Sequence, residues 1–458
     1  MIFTQYYLDC LSQASYLVGD ESSGRAVVID PRRDVGEYVA DAKAAGLTIE
    51  MVIETHFHAD FLSGHLELAH QTGAEIGYSS VATPEFDFRP LADGERLSLG
   101  DVMLEFRHTP GHTPESLSIV VWEHADDPDP YGVLTGDTLF IGDVGRPDLL
   151  TSIGFNREDL AGQLYDSLHA QLLTLPDSTR VYPGHGAGSA CGKNLSTDTW
   201  STIGDQRVTN YAIAAPDRST FIDLVTEGQP TAPAYFAYDA SLNKQNRDLH
   251  DETIAPPPLT LDQVDQLVAD GAVLVDSRDA DAFSQGHLRG SINVGLAGRY
   301  AEYAGSVVSP HDDVVLVTEP GGELESKNRL ARIGFDRVIG HLAGPYGVME
   351  ANPDRTTTAS RVTASQLDNC LSDIEGLQLV DVRQPGEVAL GTIEGAQEIP
   401  VGQIPTRLNE LDPNRPTIVF CAGGYRSAVA ASVLRVNGFD DVSDLIGGYG
   451  AWGLVHPG

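Results

Sequence analysis

Cysteine, lysine and long apolar runs are all scarce in this chain, and each shortage excludes something. The four cysteines, Cys10, Cys191, Cys370 and Cys421, are widely spread and form no CxxC pair. A disulfide framework is not expected, and the thiols read as reduced, in a cytoplasmic setting. The start, Met1-Ile-Phe-Thr-Gln-Tyr-Tyr7, lacks the basic region and apolar core of a secretion signal, and no apolar run approaches the length of a membrane span. Positive charge is equally thin: 29 Lys and Arg face 66 Asp and Glu, and the only lysines are Lys43, Lys193, Lys244 and Lys327. With no basic patch to neutralise phosphates, nucleic-acid binding is excluded. The acidic excess runs along the whole chain and reads as a hydrated, halophilic surface suited to high salt. An acidic face for a cationic partner is the alternative. At roughly 150 residues per domain, the 458 residues allow about three domains.

Against that background the stretch Thr55-His-Phe-His-Ala-Asp-Phe61 stands out. It follows an apolar run (Ile49, Met51, Val52, Ile53) that reads as a buried strand and precedes a helix expected over Leu62–His70. His56, His58 and Asp60 thus fall on a tight strand-to-helix turn where metal-binding side chains can converge. A lone cluster of this kind also occurs in solvated loops, but three further stretches accompany it: Thr109-Pro-Gly-His112, Leu134-Thr-Gly-Asp137 and Tyr182-Pro-Gly-His185. Each puts a ligand-type residue after a strand or in a Gly/Pro turn, where sites in layered α/β folds collect. A metal site is expected. Around it, Tyr16–Gly19 and Ala26–Asp30 predict a hairpin, and a helix is expected from Val35 to Ala45. Asp251–Leu259, with its run of three prolines, reads as a linker.

Beyond the linker the chain repeats. Ala272-Val-Leu-Val-Asp-Ser-Arg278 is echoed by Leu377-Gln-Leu-Val-Asp-Val-Arg383, Val314-Val-Leu-Val317 by Thr417-Ile-Val-Phe420, and Ile333-Gly-Phe-Asp336 by Asn437-Gly-Phe-Asp440. Strands alternating with helical stretches predict a mainly parallel sheet in each copy. The copies differ at one loop. In the second, Cys421-Ala-Gly-Gly-Tyr-Arg-Ser427 lies between strand and helix. Backbone N–H groups surround the sulfur there, Gly423 and Gly424 let the chain curl, and Arg426 adds positive charge, all favouring thiolate and persulfide. The first copy has Thr318-Glu-Pro-Gly-Gly-Glu-Leu-Glu325 instead, without cysteine. It is structural or a docking module.

These residues carry a resemblance. Residues 1–250 resemble the metallo-β-lactamase superfamily through His56-Phe-His-Ala-Asp60, Pro110-Gly-His112, Thr135-Gly-Asp137 and Pro183-Gly-His185. Residues 260–355 and 361–458 resemble rhodanese domains, the second with the loop Cys421 to Ser427 (Ala422, Gly423, Gly424, Tyr425). The combination is similar to bacterial and archaeal persulfide dioxygenase–rhodanese fusions with a degenerate first rhodanese copy. The implied fold class is α/β: an αββα sandwich followed by two rhodanese-like domains with mainly parallel sheets.

The resemblance implies one Fe(II) per chain, held by His56, His112 and Asp137, a set that leaves positions open for O₂ and substrate. His58, Asp60 and His185 become outer groups or alternative metal ligands. Binuclear zinc hydrolases resembling glyoxalase II normally carry histidine where Phe61 stands, so a second metal is disfavoured. The implied activity is oxidation of a small-molecule persulfide by O₂ to sulfite, with Cys421 and Arg426 passing sulfane sulfur on, plausibly to form thiosulfate. A zinc thioester hydrolase and a sulfur carrier with a vestigial metal site stay open as alternatives. Arg146 is a candidate for holding substrate or for a loop ion pair with Asp148. Cys191, with Lys193 beside it, is a candidate sulfur relay or a packed loop thiol. A homo-oligomer, dimer or tetramer, is expected.

Overall fold

A computed structural model describes residues 1–151 and 154–456. Pro457 and Gly458, the end of the expected third domain, lie outside the described residues. The chain forms two compact units, one of Met1–Ala232 with Phe236–His250, the other of Pro233–Tyr235 with Asp251–Gly458. No helix among the described residues is long and apolar enough to cross a membrane.

In the first unit two six-stranded sheets lie face to face. One runs Ile2–Leu8, Gln13–Asp20, Arg25–Ile29, Thr48–Ile53, Glu75–Ser79, Arg89–Leu91. The other runs Ser201–Thr202, Arg180–Pro183, Gly132–Gly136, Leu117–Trp122, Met103–His108, Arg96–Ser98. Side-chain alternation explains why these strands are so continuously apolar. Leu117, Ile119 and Val121 point between the sheets and meet Tyr16, Val18, Val27 and Ile53. Val120, Val133 and Val181 point outward and pack on Leu164 and Phe221. On the far side Val28 and Val52 pack on Tyr38 and Leu68 of helices Gly36–Ala44 and His65–Thr72. Both faces of each sheet are covered, so neither set of alternate positions faces water. This is the expected αββα sandwich.

Strands Thr48–Ile53, Gly132–Gly136 and Arg180–Pro183 end just before the ligand-type residues of three of the four stretches, and His112 lies in the turn after Met103–His108. The helix expected from Leu62 starts only at His65. The cause is distant in sequence: the buried Asn243 amide donates to the carbonyls of His58 and Phe61 (both 2.8 Å) and accepts from the Ser63 N–H at 2.9 Å. These bonds hold residues 58–63 as a turn.

The same helix carries a buried ion network. Glu67 accepts from Arg33 Nε at 3.0 Å and from Arg247 Nη1 and Nη2 at 2.6 and 2.9 Å. Burial alone would raise its carboxyl, but the hydrogen bond and charge of Arg247, with Arg33, outweigh burial and hold it at about 2, against 4.5. Because the folded value is the lower, this stabilisation is whole above pH 4.5 and is lost as pH falls towards 2. Glu67→Gln is expected to cost about 3 kcal/mol at pH 7, the scale of breaking a buried pair. The gap to the parent protein should narrow once the pH drops below 4.5. Urea unfolding across that range measures it.

The second unit contains the repeat. Its two five-stranded sheets share one order: Pro258–Leu259, Val338–Leu342, Val314–Val317, Val273–Asp276, Ser291–Asn293 in the first copy, and Ser360–Val362, Val442–Leu445, Thr417–Phe420, Gln378–Asp381, Gln397–Glu398 in the second. Every pairing is parallel. The Asp-x-Arg echo is structural. In each copy the guanidinium folds back onto the strand-end carboxylate (Arg278 on Asp276, Arg383 on Asp381) and donates Nη2 to a glycine carbonyl, Gly286 at 2.9 Å or Gly391 at 2.7 Å. The stretch expected as a linker is partly domain. Pro258–Leu259 forms the edge strand, and Lys327 Nζ donates to the carbonyls of Asp251 and Ile254 at 2.7 Å. Proline has no N–H for a ladder, so a proline-rich strand belongs at an edge.

Candidate metal centre and cysteine loop

His56, His112 and Asp137 converge in the first unit, each fully buried, with one ligand-type atom of each within 4.8 Å of the others. Their hydrogen bonds decide which atoms face inward. Thr55 Oγ1 donates to Asp30 Oδ2 at 2.8 Å, so at 2.9 Å it accepts the Nδ1–H of His56. The Arg146 carbonyl can only accept, so His112 also carries its proton on Nδ1 (2.9 Å). Both imidazoles therefore turn a bare Nε2 inward, 3.9 Å and 3.6 Å from Asp137 Oδ2. His56 Nε2 and Asp137 Oδ2 have no hydrogen-bond partner. Buried polar atoms are rarely left so. Two neutral imidazole nitrogens and one carboxylate oxygen around a common point fit a divalent transition metal. Burial, then the charge of His58, pushes His56 well below its usual value and keeps it neutral.

The other residues of the four stretches do different work. His58 turns to Asp30 and Glu54, with Nε2 at 3.1 and 3.3 Å, and these carboxylates overcome burial to raise it well above its usual value. His185 lies between carboxylates, Nε2 2.6 Å from Asp60 and Nδ1 2.8 Å from Asp137. Burial works against its charge, yet Asp137 and Asp60 push it up to about 10. Asp60, His185 and Cys191 make a second group with ligand-type atoms close together. Phe61, fully buried, sits with its ring 4.3 Å from that of His58.

Three expected alternatives are narrowed by the structure. Arg146 is spent as a loop ion pair, with Nε and Nη2 on Asp148 at 2.7 and 2.8 Å and Nη1 on the Ala190 carbonyl; what it offers the centre is its backbone carbonyl to His112. Lys193 does not favour a thiolate at Cys191, because its Nζ donates to the carbonyls of Leu224 and Glu227 at 2.6 and 2.8 Å. Burial, then Asp60 and Asp137, pushes the Cys191 thiol well up. That pocket favours thiol over thiolate.

In the second unit Cys421 ends strand Thr417–Phe420 and precedes helix Tyr425–Val436. The Gly424 N–H donates to Sγ at 3.1 Å, and Ser427 Oγ lies 3.6 Å from Sγ. Gly424 has φ +103°, a conformation that suits glycine. Ala422 and Gly423 are exposed at the mouth while Cys421 itself is buried. Arg426 is not free charge, since it donates to both oxygens of Glu387 at 2.6 and 2.7 Å. Sequence reasoning missed Glu387 as well as Asp30, Glu54 and Asn243. For Asp30 a signal existed: an acid closing the apolar strand Arg25–Ile29 and followed by Pro31. It missed Gly448 too, whose added Cβ would lie 2.2 Å from the Cys421 carbonyl oxygen. In the first copy the matching loop carries Thr318, and Ser326 hydrogen-bonds Ser277 at 3.1 Å.

Comparison with known proteins matches residues 8–185 to the metallo-beta-lactamase superfamily and residues 260–347 and 363–454 to the rhodanese-like domain. A mitochondrial persulfide dioxygenase of Bos taurus is 32% identical over 173 residues, 37% of this chain and 63% of that protein. The match thus spans less than two thirds of that relative. A hydroxyacylglutathione hydrolase of Rhodospirillum rubrum is 34% identical over 233 residues, 50% of this chain and 80% of that protein. The crystal structure of a metallo-beta-lactamase from Staphylococcus aureus subsp. aureus COL superposes with a TM-score of 0.66 at 33% identity, over 74% of this chain and 98% of that one.

Proposed function

Because the chain belongs to the metallo-β-lactamase superfamily in its N-terminal part and carries two rhodanese-like domains after it, we propose that it oxidises a low-molecular-weight persulfide with O₂ and handles the sulfur at Cys421. The domains would be 1–250, 260–355 and 361–458. The observation that carries this reading is the set His56, His112 and Asp137, three inward atoms with both imidazole tautomers held from behind. Fe(II) bound there would supply open positions where a persulfide and O₂ meet and exchange electrons.

The chain's own groups set the conditions for that chemistry. Thr55 and the Arg146 carbonyl hold the two imidazoles at a fixed tautomer and angle. His185 donates Nδ1–H to Asp137 Oδ1, leaving Oδ2 for the metal, and turns Nε2 to Asp60 at 2.6 Å. Phe61 packs on His58, and the turn that carries both is tied by Asn243. At Cys421 the Gly424 N–H favours sulfur anions. When sulfite attacks the outer sulfur of a Cys421 persulfide, an S–S bond forms in thiosulfate. The Sγ–S bond breaks, and its electron pair returns to Sγ.

A second reading, a zinc thioester hydrolase, is supported by the identity with the R. rubrum hydrolase and by the second group Asp60, His185 and Cys191. Against it stands Phe61, which offers no ligand atom beside His58. O₂ uptake by the Fe(II)-loaded full chain, in high salt, on adding glutathione persulfide separates the two. Rapid uptake with about one iron per chain and sulfite or thiosulfate as product is expected, as for a single three-ligand site. Folded, iron-containing protein that consumes no O₂, with a two-zinc form that cleaves a thioester, would establish the hydrolase instead.

A further inference from the structure

The first rhodanese-like copy has no cysteine, yet it reaches the cysteine loop of the second. Its strand Ser291–Asn293 lies on helix Tyr425–Val436, where the Asn293 N–H donates to Ser432 Oγ at 2.9 Å. The turn that follows accepts the Tyr425 hydroxyl at the Gly295 carbonyl, 2.5 Å away. At Gly298 an added Cβ would lie 2.3 Å from the Tyr425 ring, so the two copies are closely fitted there. Helix Tyr300–Val307 then packs on the turn Val401–Gln403 and on helix Tyr425–Val436. From that helix Tyr303 sets its ring 5.5 Å from the ring of Tyr425. Tyr425 directly follows Gly424, whose N–H bonds the sulfur, and directly precedes Arg426. Tyr303 is only half-buried, and beyond the Tyr425 ring its hydroxyl lies within electrostatic reach of Arg426 and Cys421.

We infer that Tyr303, supplied by the cysteine-less copy, is a specificity-determining wall of the Cys421 mouth that admits small anionic sulfur acceptors and keeps bulky thiols out. The inference rests on Cys421 being a sulfur carrier. Two further observations fit the role. Burial, then Glu302, pushes the Tyr303 hydroxyl up to about 12 against the pull of Arg426 and Arg299, so the wall stays uncharged and does not repel an anion. Glu302 itself is held by Arg299, which keeps its carboxylate occupied beside the mouth. A wall of this kind acts through orientation: it restricts the angles from which an acceptor can approach the outer sulfur.

The test uses the full chain with thiosulfate as donor. The Cys421 thiolate attacks the outer sulfur of thiosulfate, the Sγ–S bond forms, and sulfite leaves with the electron pair of the broken S–S bond. Cyanide then attacks that outer sulfur, thiocyanate forms, and the pair returns to Sγ. Dithiothreitol replaces cyanide as the bulky acceptor. In Tyr303→Ala the rate with dithiothreitol relative to cyanide should rise about tenfold, and KM for cyanide should rise while kcat stays within about twofold. Tyr303→Phe, which keeps the ring, should retain the parent ratio. Tyr303→Leu keeps apolar contact with Tyr425 and should relax the ratio even if alanine loosens the interface. A parent ratio in both the alanine and leucine variants would overturn the inference alone. A parent protein whose transfer to cyanide is no faster than that of Cys421→Ser would overturn the reading of Cys421, and this inference with it.

Discussion

His112→Ala should empty the metal site and stop O₂ uptake together. The ring supplies one of three inward atoms, held in place through its Nδ1–H by the Arg146 carbonyl. Removing a group that merely orients a ligand typically costs about 10–100-fold in metal affinity or activity. Loss of a ligand from a three-ligand set should exceed that. Iron per chain and persulfide-dependent O₂ consumption should fall in parallel, while thermal unfolding stays cooperative. The contrast is Asp60→Asn, which touches the centre only through His185. It should keep iron and lose activity by no more than roughly the outer-group factor. If His112→Ala keeps both iron and activity, the ligands are not these three.

Cys421→Ser should separate the two halves of the proposed activity. O₂ uptake per iron should be unchanged, because Cys421 belongs to the second unit and the candidate centre to the first. The product should change from thiosulfate to sulfite. Sulfurtransfer to cyanide should drop by more than about a thousand-fold, since a serine hydroxyl has neither the low pKa nor the polarisability that makes a thiolate a sulfur nucleophile. Serine is close to isosteric, and the Gly424 N–H can donate to its oxygen as it does to Sγ. The loop should therefore keep its shape, and the loss can be assigned to the sulfur. An unchanged thiosulfate yield would mean that thiosulfate forms without Cys421.

The two substitutions also bear on how the centre was read. Strand ends and Gly/Pro turns marked His56, His58, Asp60, His112, Asp137 and His185 alike as residues collecting at one edge, and it was the resemblance that singled out His56, His112 and Asp137. The separation of His58 from them was not legible. His56 and His58 are two residues apart, and nothing local says that one ring faces the metal position while the other faces Asp30 and Glu54. Glu54 closes the same strand, four residues before His58, but Asp30 closes another, and only the pairing of Arg25–Ile29 with Thr48–Ile53 brings it alongside. Which of its two expected roles Arg146 takes, and that Lys193 is spent on carbonyls, were not legible for the same reason. A cation beside a reactive group in sequence looks available, but whether its charge is spent depends on partners such as Asp148, Leu224 and Glu227.

Taken alone, the sequence determined the alternating strands and helices, the repeated parallel domains and the cysteine loop, while the αββα sandwich was implied by the resemblance of the four ligand stretches. Hydrophobic alternation, a duplicated Asp-x-Arg strand end and a Gly-Gly turn before a helix are local or internally repeated patterns, and local backbone preferences suffice to express them. Tertiary structure alone decided which protons the histidines carry, that Arg426 is paired with Glu387, and that Tyr303 of the cysteine-less copy meets the Tyr425 ring of the cysteine loop. Each of these depends on groups far apart in the chain meeting at hydrogen-bond or ring-contact distance, for His56 through the Asp30 carboxylate that takes the Thr55 proton. Such meetings are fixed by how sheets and helices pack and leave no periodic trace in the order of residues.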